Sequence, residues 1–118
     1  MKVETIFDGF WLWFRGRERP PYKITGKYLF FSEDFDLLRN IAIEEIRANG
    51  FHVAKINTRL LGKNTEHVLC LYYKDDSRRH ELAEKYQGMV KYRYWKSDKD
   101  TLEGKYSEEF LSELTGGF

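Results

Sequence analysis

Apolar positions along this chain fall into unbroken runs, alternating stretches and one stripe of helical period. Phe10 to Phe14 are five large apolar residues in a row, ending at Arg15. A run of that length between Gly9 and Gly16 predicts a strand buried on both sides, over residues 9–15. Lys27-Tyr28-Leu29-Phe30-Phe31-Ser32 predicts a second strand over 27–32. Between them, Pro20-Pro21 cannot sit in a central strand or a helix interior. Residues 16–26 are therefore expected as a loop that closes at the Thr25-Gly26 turn. Residues 1–8 are expected to be a frayed lead-in.

The period then changes. Phe35, Leu38, Ile41, Ala42 and Ile46 recur at spacings of three and four, while Asp36, Arg39, Asn40 and Arg47 fall on the opposite side. This predicts an amphipathic helix, with Ser32 as its N-cap and Asn49-Gly50 as its stop. Alternation returns over 51–59. It places His52, Ala54, Ile56 and Thr58 beneath the helices, and Lys55, Asn57 and Arg59 together on the other face. A short loop around Gly62 leads to a strand over 66–74, so these two strands should form an antiparallel hairpin. Asp75-Asp76-Ser77 should cap a second helix over 77–87, with Leu82, Ala83 and Tyr86 as its apolar edge and Gly88 as its end. A strand over 90–97, a charged turn over 98–105 and a short helix from Ser107 complete the chain. The order is ββαββαβα. It predicts a single α+β domain over residues 1–118: a mostly antiparallel sheet of about five strands, with two to three helices on one face and the other face free.

Composition narrows the picture. Aromatic residues are 17% of the chain, so the core should be built largely from rings. Charged residues are 33%, yet the net charge is only +1, which argues against a dedicated duplex-DNA coat protein. The longest apolar run is far below the roughly 20 residues of a membrane span. The first residues lack the pattern of a signal peptide. Cys70 is the only cysteine and lies in an apolar strand, so no intrachain disulfide is expected and a cytoplasmic location is.

Chemistry concentrates on one predicted surface. Arg15, Lys55, Arg59 and Lys96 stand on or at the ends of different strands. On a shared sheet face they would converge on an anion such as phosphate. Trp13, Tyr94 and Trp95 could stack flat ligands there. The competing readings are ordinary solvated charges for the first set and core packing for the second. His52, His67 and His80 match no metal-ligand spacing, alone or with Cys70, so neither a metal nor a cofactor is expected. Neither a Gly-rich phosphate loop nor a nucleophile elbow occurs. The turn at Asp98, Asp100, Glu103 and Gly104 lacks the spacing of a calcium loop.

Several stretches together resemble one family. They are Trp11-Leu12-Trp13-Phe14-Arg15 followed by Pro20, Thr25 to Phe31, Ala54-Lys55-Ile56-Asn57-Thr58, Val68 to Tyr73 ahead of Asp75-Asp76, and Tyr94-Trp95-Lys96-Ser97-Asp98 with Thr101, Gly104 and Tyr106. In order and spacing they resemble the basophilic-leukemia-expressed protein family. The resemblance implies a fold like that of the cap-binding translation initiation factor 4E, a curved antiparallel sheet backed by helices. The Trp pair and acidic partner that grip the cap have no residue-by-residue match here. The family has also been labelled phosphothreonine-lyase-like, but the Lys-x-His pattern of that chemistry is missing. The expected function is binding of a phosphate-bearing ligand, single-stranded RNA or a nucleotide, on an open basic and aromatic sheet face. The alternatives are an enzyme acting on a phosphoester, with Lys55 or Lys96 as base, and a protein-interaction domain without a small ligand.

Overall fold

Alternating strands and one long amphipathic helix assemble into a six-stranded antiparallel sheet with two helices, among the described residues. The computed structural model describes residues 2–60 and 62–97, with Arg93 and Tyr94 described by their backbone alone. In chain order the elements are β1 (Glu4–Phe7), β2 (Trp11–Arg15), β3 (Gly26–Ser32), α1 (Phe35–Ala48), β4 (Val53–Asn57), β5 (His67–Tyr73), α2 (Arg79–Lys85) and β6 (Lys91–Ser97). The sheet order is β1-β2-β4-β5-β3-β6, and every neighbouring pair is antiparallel. The expected charged turn after residue 97 and the helix from Ser107 lie outside the described residues.

The N-terminal segment differs from expectation. Residues 4–7 are an edge strand rather than a lead-in, paired to β2 from Glu4↔Arg15 to Phe7↔Leu12. Asp8-Gly9 makes the turn. Gly9 adopts φ +102, a conformation that side chains disfavour. The Asp8 carboxylate accepts from the Phe10 and Trp11 backbone N–H groups at 2.9 and 2.7 Å. Asp-Gly between two β-prone apolar segments is a hairpin signal, so the element was legible in the chain.

The N-cap of helix α1 lies two residues after the expected Ser32. Asp34 is the N-cap, accepting from Leu37 N–H at 3.1 Å, and the Ser32 hydroxyl braces it by accepting from Asp34 N–H. Its buried stripe is Leu38, Ile41, Ala42 and Ile46, as the spacing predicts, with Gly50 at φ +83 just past the end. Helix α2 begins at Arg79 rather than 77, and its N-cap Arg78 makes no side-chain capping bond. The acidic run ahead of it forms a turn instead: Asp75 accepts from Ser77 N–H, and the Asp76 carbonyl from Arg79 N–H.

Both helices pack on one sheet face. That core joins Phe14, Tyr28, Phe30, Ala54, Ile56, Leu69 and Leu71 of the strands to Leu38, Ile41, Ile46, Leu82 and Tyr86. Glu45 is fully buried within it. Its Oε2 accepts from Asn49 at 2.9 Å, Lys85 at 2.7 Å and the Tyr86 hydroxyl, so one carboxylate ties α2 to α1. Gly26 marks the tightest strand contact. A Cβ there would lie 2.5 Å from the Trp95 ring and 2.7 Å from the Lys96 carbonyl oxygen.

Candidate anion site on the lysine face

The register of the sheet decides which side chains meet, because directly paired residues project from the same face. One row runs Ile6, Trp13, Lys55, Cys70, Leu29. Beside it, Tyr72 pairs with Lys27, and Lys27 with Lys96. All of these point away from the helices. Lys55 and Lys96, expected on one face, are brought there by β4 and β6. Lys27, on β3 between β5 and β6, joins them.

This face is a second core rather than an exposed surface. Trp13 is 3% exposed and Tyr72 1%, stacked with ring centroids 6.0 Å apart and planes at 17°. Leu29, Val53 and Cys70 are buried with them, and Trp11, Phe31 and Val68 pack at the margin. The expectation of a free, open wall is therefore corrected. Large rings in alternate positions pack against one another rather than stand in solvent.

Cations are embedded in that core. Lys27 is 7% exposed and Lys55 8%. The Lys55 ammonium lies 4.1 Å from the Trp11 ring centroid, 4.9 Å from Trp13 and 5.9 Å from Tyr72. Lys27 approaches the same Tyr72 ring at 5.7 Å, so two ammonium groups lie near one ring. No carboxylate lies within ion-pair distance of Lys27, Lys55 or Lys96 among the described residues. Asp8 is the nearby acid, but its Oδ2 is taken by the Trp13 indole N–H at 3.1 Å.

Burial pushes the Lys55 ammonium below the usual lysine range. The Cys70 thiol and Asp8 oppose this, and the Lys27 charge reinforces it. Burial raises the Cys70 thiol, while Lys55, Lys27 and Lys96 all pull it down. For Asp8, burial works against ionisation. The N–H groups of Phe10, Trp11 and the Trp13 indole, with Lys55, outweigh it and hold the carboxyl below its usual range.

The remaining expected site residues go elsewhere. Arg15 is ion-paired to Glu4 at 2.9 Å near the β1 edge, three strands from Lys27. Arg59 lies beyond β4, donating to the Gly9 carbonyl at 3.1 Å with its guanidinium 5.8 Å from the Phe10 ring. Trp95 is a correction: it pairs with Tyr28 and packs on the helix face, with ring centroids 4.8 Å apart. Adjacent strand residues cannot share a face, and Tyr94 pairs with Leu29 in the lysine row. The Tyr94 side chain lies outside the described residues. His67 is engaged structurally, with Nδ1 2.7 Å from the Asn57 carbonyl oxygen. Among the described residues, no group of three or more His, Cys, Asp or Glu side chains converges as a metal would require.

Sequence reasoning passed over Lys27 and Asp8 as site residues. Lys27 precedes Leu29 by two and so shares its face, but only the β4-β5-β3-β6 order puts it directly beside Lys96, with β5 between it and Lys55. Comparison with family models, with curated proteins and with solved structures finds no match to this chain. No helix of the described residues is long and apolar enough to cross a membrane.

Proposed function

We propose that the lysine face binds a phosphate-bearing ligand, of the nucleotide or single-stranded RNA class, between Lys27, Lys55 and Lys96. One observation carries the reading: two ammonium groups are more than nine-tenths buried with no carboxylate partner among the described residues. Buried charge is costly unless paired, and a phosphate would supply the missing countercharge. The half-buried Trp11 ring beside Lys55 is the surface on which a base would stack. The initiation-factor-4E-like architecture and a cytoplasmic setting belong to this reading, through the family resemblance of the motifs.

Titration of the protein with a mononucleotide, and with a short oligonucleotide at several salt concentrations, tests it. Binding should weaken with salt and fall by about tenfold or more in Lys55→Ala and in Lys96→Ala, since each removes one charge-assisted contact. Equal binding in both variants would remove the proposal. A second reading, an enzyme acting on a phosphoester with Lys55 as base, draws on the lowered ammonium pKa. Mass spectrometry of phosphothreonine peptides and RNA after incubation decides it. Unaltered substrates would leave binding alone.

A further inference from the structure

We infer that the groove around Gly88 and Val90 docks a basic peptide segment of another protein, seated by apolar side chains and gripped by Glu33, Asp34 and Glu84. The inference goes beyond the phosphate reading and does not rest on it. Two cavities, of about 570 and 480 Å³, share Gly88 and Val90 in their walls. The larger runs over Phe31, Leu37 and Met89 at the start of α1, and the smaller over Ala83 and Tyr92 between α2 and β6. Cavities of this size with apolar floors are the usual form of a binding groove. Among the described residues, three large apolar side chains stand exposed, Phe7, Leu60 and Met89, and of these Met89 lines the groove, 52% exposed. Its turn is fixed. Gly88, at φ +79, leads the chain out of α2, and the Met89 and Val90 N–H groups both donate to the Tyr86 carbonyl, at 3.1 and 3.4 Å. An unbranched thioether on a fixed turn adapts readily to the apolar side chains of a partner.

Charge names the occupant. Glu33, Asp34 and Glu66 line the larger cavity and Glu84 the smaller, against Lys91 as the one Lys or Arg in either wall among the described residues. Lys91 is taken by Glu66 at 3.2 Å. The nearby cations of α2 are engaged as well, Lys85 by Glu45 and Arg79 by Asp76. Glu33, Asp34 and Glu84 have no Lys or Arg within ion-pair distance among the described residues. An apolar floor under an acidic rim fits apolar anchors flanked by lysine or arginine, and it repels the anions that suit the lysine face.

NMR titration of the isotope-labelled full chain with a peptide of alternating leucine and lysine tests the inference. Two control peptides replace every lysine by glutamate, or every leucine by serine. The leucine–lysine peptide should give saturable shifts at the backbone N–H groups of Glu33 to Leu37, of Ala83 and Glu84, and of Met89 to Lys91, and the controls should not. Met89→Ser, at an exposed position where the fold is not at stake, should weaken binding about tenfold by removing one apolar contact. The pair Glu33→Gln with Glu84→Gln should weaken it at low salt and flatten its salt dependence. Glu18→Gln, at an exposed acid in the loop before β3, should leave it unchanged. Phosphate-induced shifts on the lysine face should be the same in Met89→Ser and wild type, so the two readings stand or fall separately. Equal binding of either control peptide, full affinity in Met89→Ser, or no saturable binding overturns the inference. Shifts at the same residues that follow protein concentration without peptide also overturn it, in favour of a second copy as the occupant.

Discussion

The two faces of the sheet are built from the same strands, yet they solve burial in opposite ways. On the helix face, Phe14, Tyr28, Phe30, Ile56, Leu69 and Leu71 meet the apolar stripe of α1, and the buried carboxylate of Glu45 has Asn49, Lys85 and Tyr86 as donors to its Oε2. On the lysine face, rings of comparable size close around Lys27 and Lys55, which have aromatic neighbours and no carboxylate within ion-pair distance among the described residues. Cation–π contact offsets only part of the cost of burying a charge. The helix face is therefore organised for stability. The lysine face retains a local electrostatic cost that a bound anion would relieve.

Substitutions of similar size should accordingly change sign from one face to the other. The largest effect is expected at Phe30, fully buried with ring centroids 5.8 Å from Tyr86 and 5.1 Å from Tyr92. Phe30→Ala should lower unfolding free energy by about 3–5 kcal/mol, measured by urea denaturation. A loss below one kilocalorie would mean that the helix face repacks freely and the contrast is overstated.

Gly26→Ala should cost about 1–3 kcal/mol by forcing β6 away from β3, since the added methyl overlaps the Trp95 ring and the Lys96 carbonyl. Wider separation of these strands would also move Lys96 from Lys27, so phosphate affinity and stability should fall together. Retained affinity in a destabilised variant would show that Lys96 is dispensable.

Lys27→Met should do the reverse of Phe30→Ala. It keeps the unbranched stem over Tyr72 and deletes an embedded charge, so the ligand-free protein should gain about 1 kcal/mol while phosphate binding weakens. Thermal unfolding with and without phosphate checks both signs in one experiment. Lower stability in the variant would show that the ammonium has a favourable partner after all.

A pH test sharpens the same point. The Lys55 pKa is lower in the folded than in the unfolded chain, so the unfolded state holds more protons between the two values. Lys55 thus opposes folding below its folded pKa, and that penalty disappears as pH rises from there toward the ordinary lysine value of 10.5. The stability difference between Lys55→Met and wild type should shrink across that interval. Taking the difference removes the common contribution of the tyrosines. A constant difference would contradict the burial argument.

The smallest effect belongs to Asp8→Asn. Asn preserves the turn acceptor but removes the charge that favours the Lys55 ammonium, so the Lys55 pKa should drop further with a stability change under about 1 kcal/mol. An NMR titration of the Lys55 side chain reads it directly. Because the folded Asp8 carboxyl is depressed, its own contribution to stability is present above the unfolded pKa. It is lost as pH falls through the folded value.

Local chemistry made most elements legible along the chain. The stripe from Phe35 to Ile46 announced α1, alternation from Val53 to Asn57 announced β4, and Pro20-Pro21 marked the loop before β3. Asp8-Gly9 carried an equally local signal for the first hairpin. That Lys55 faces away from the helices also followed from period-two alternation, a property of a single strand. Which cations share that face across the other strands did not. The insertion of β3 between β5 and β6 set Lys27 and Lys96 side by side, left Arg15 with Glu4 at the far edge, and turned Trp95 toward Tyr28. Strand order and register are long-range outcomes of packing, so no pattern within one segment encodes them. The sequence alone determined which residues share a strand face, and the tertiary structure decided which strands lie side by side and hence which charges are buried together.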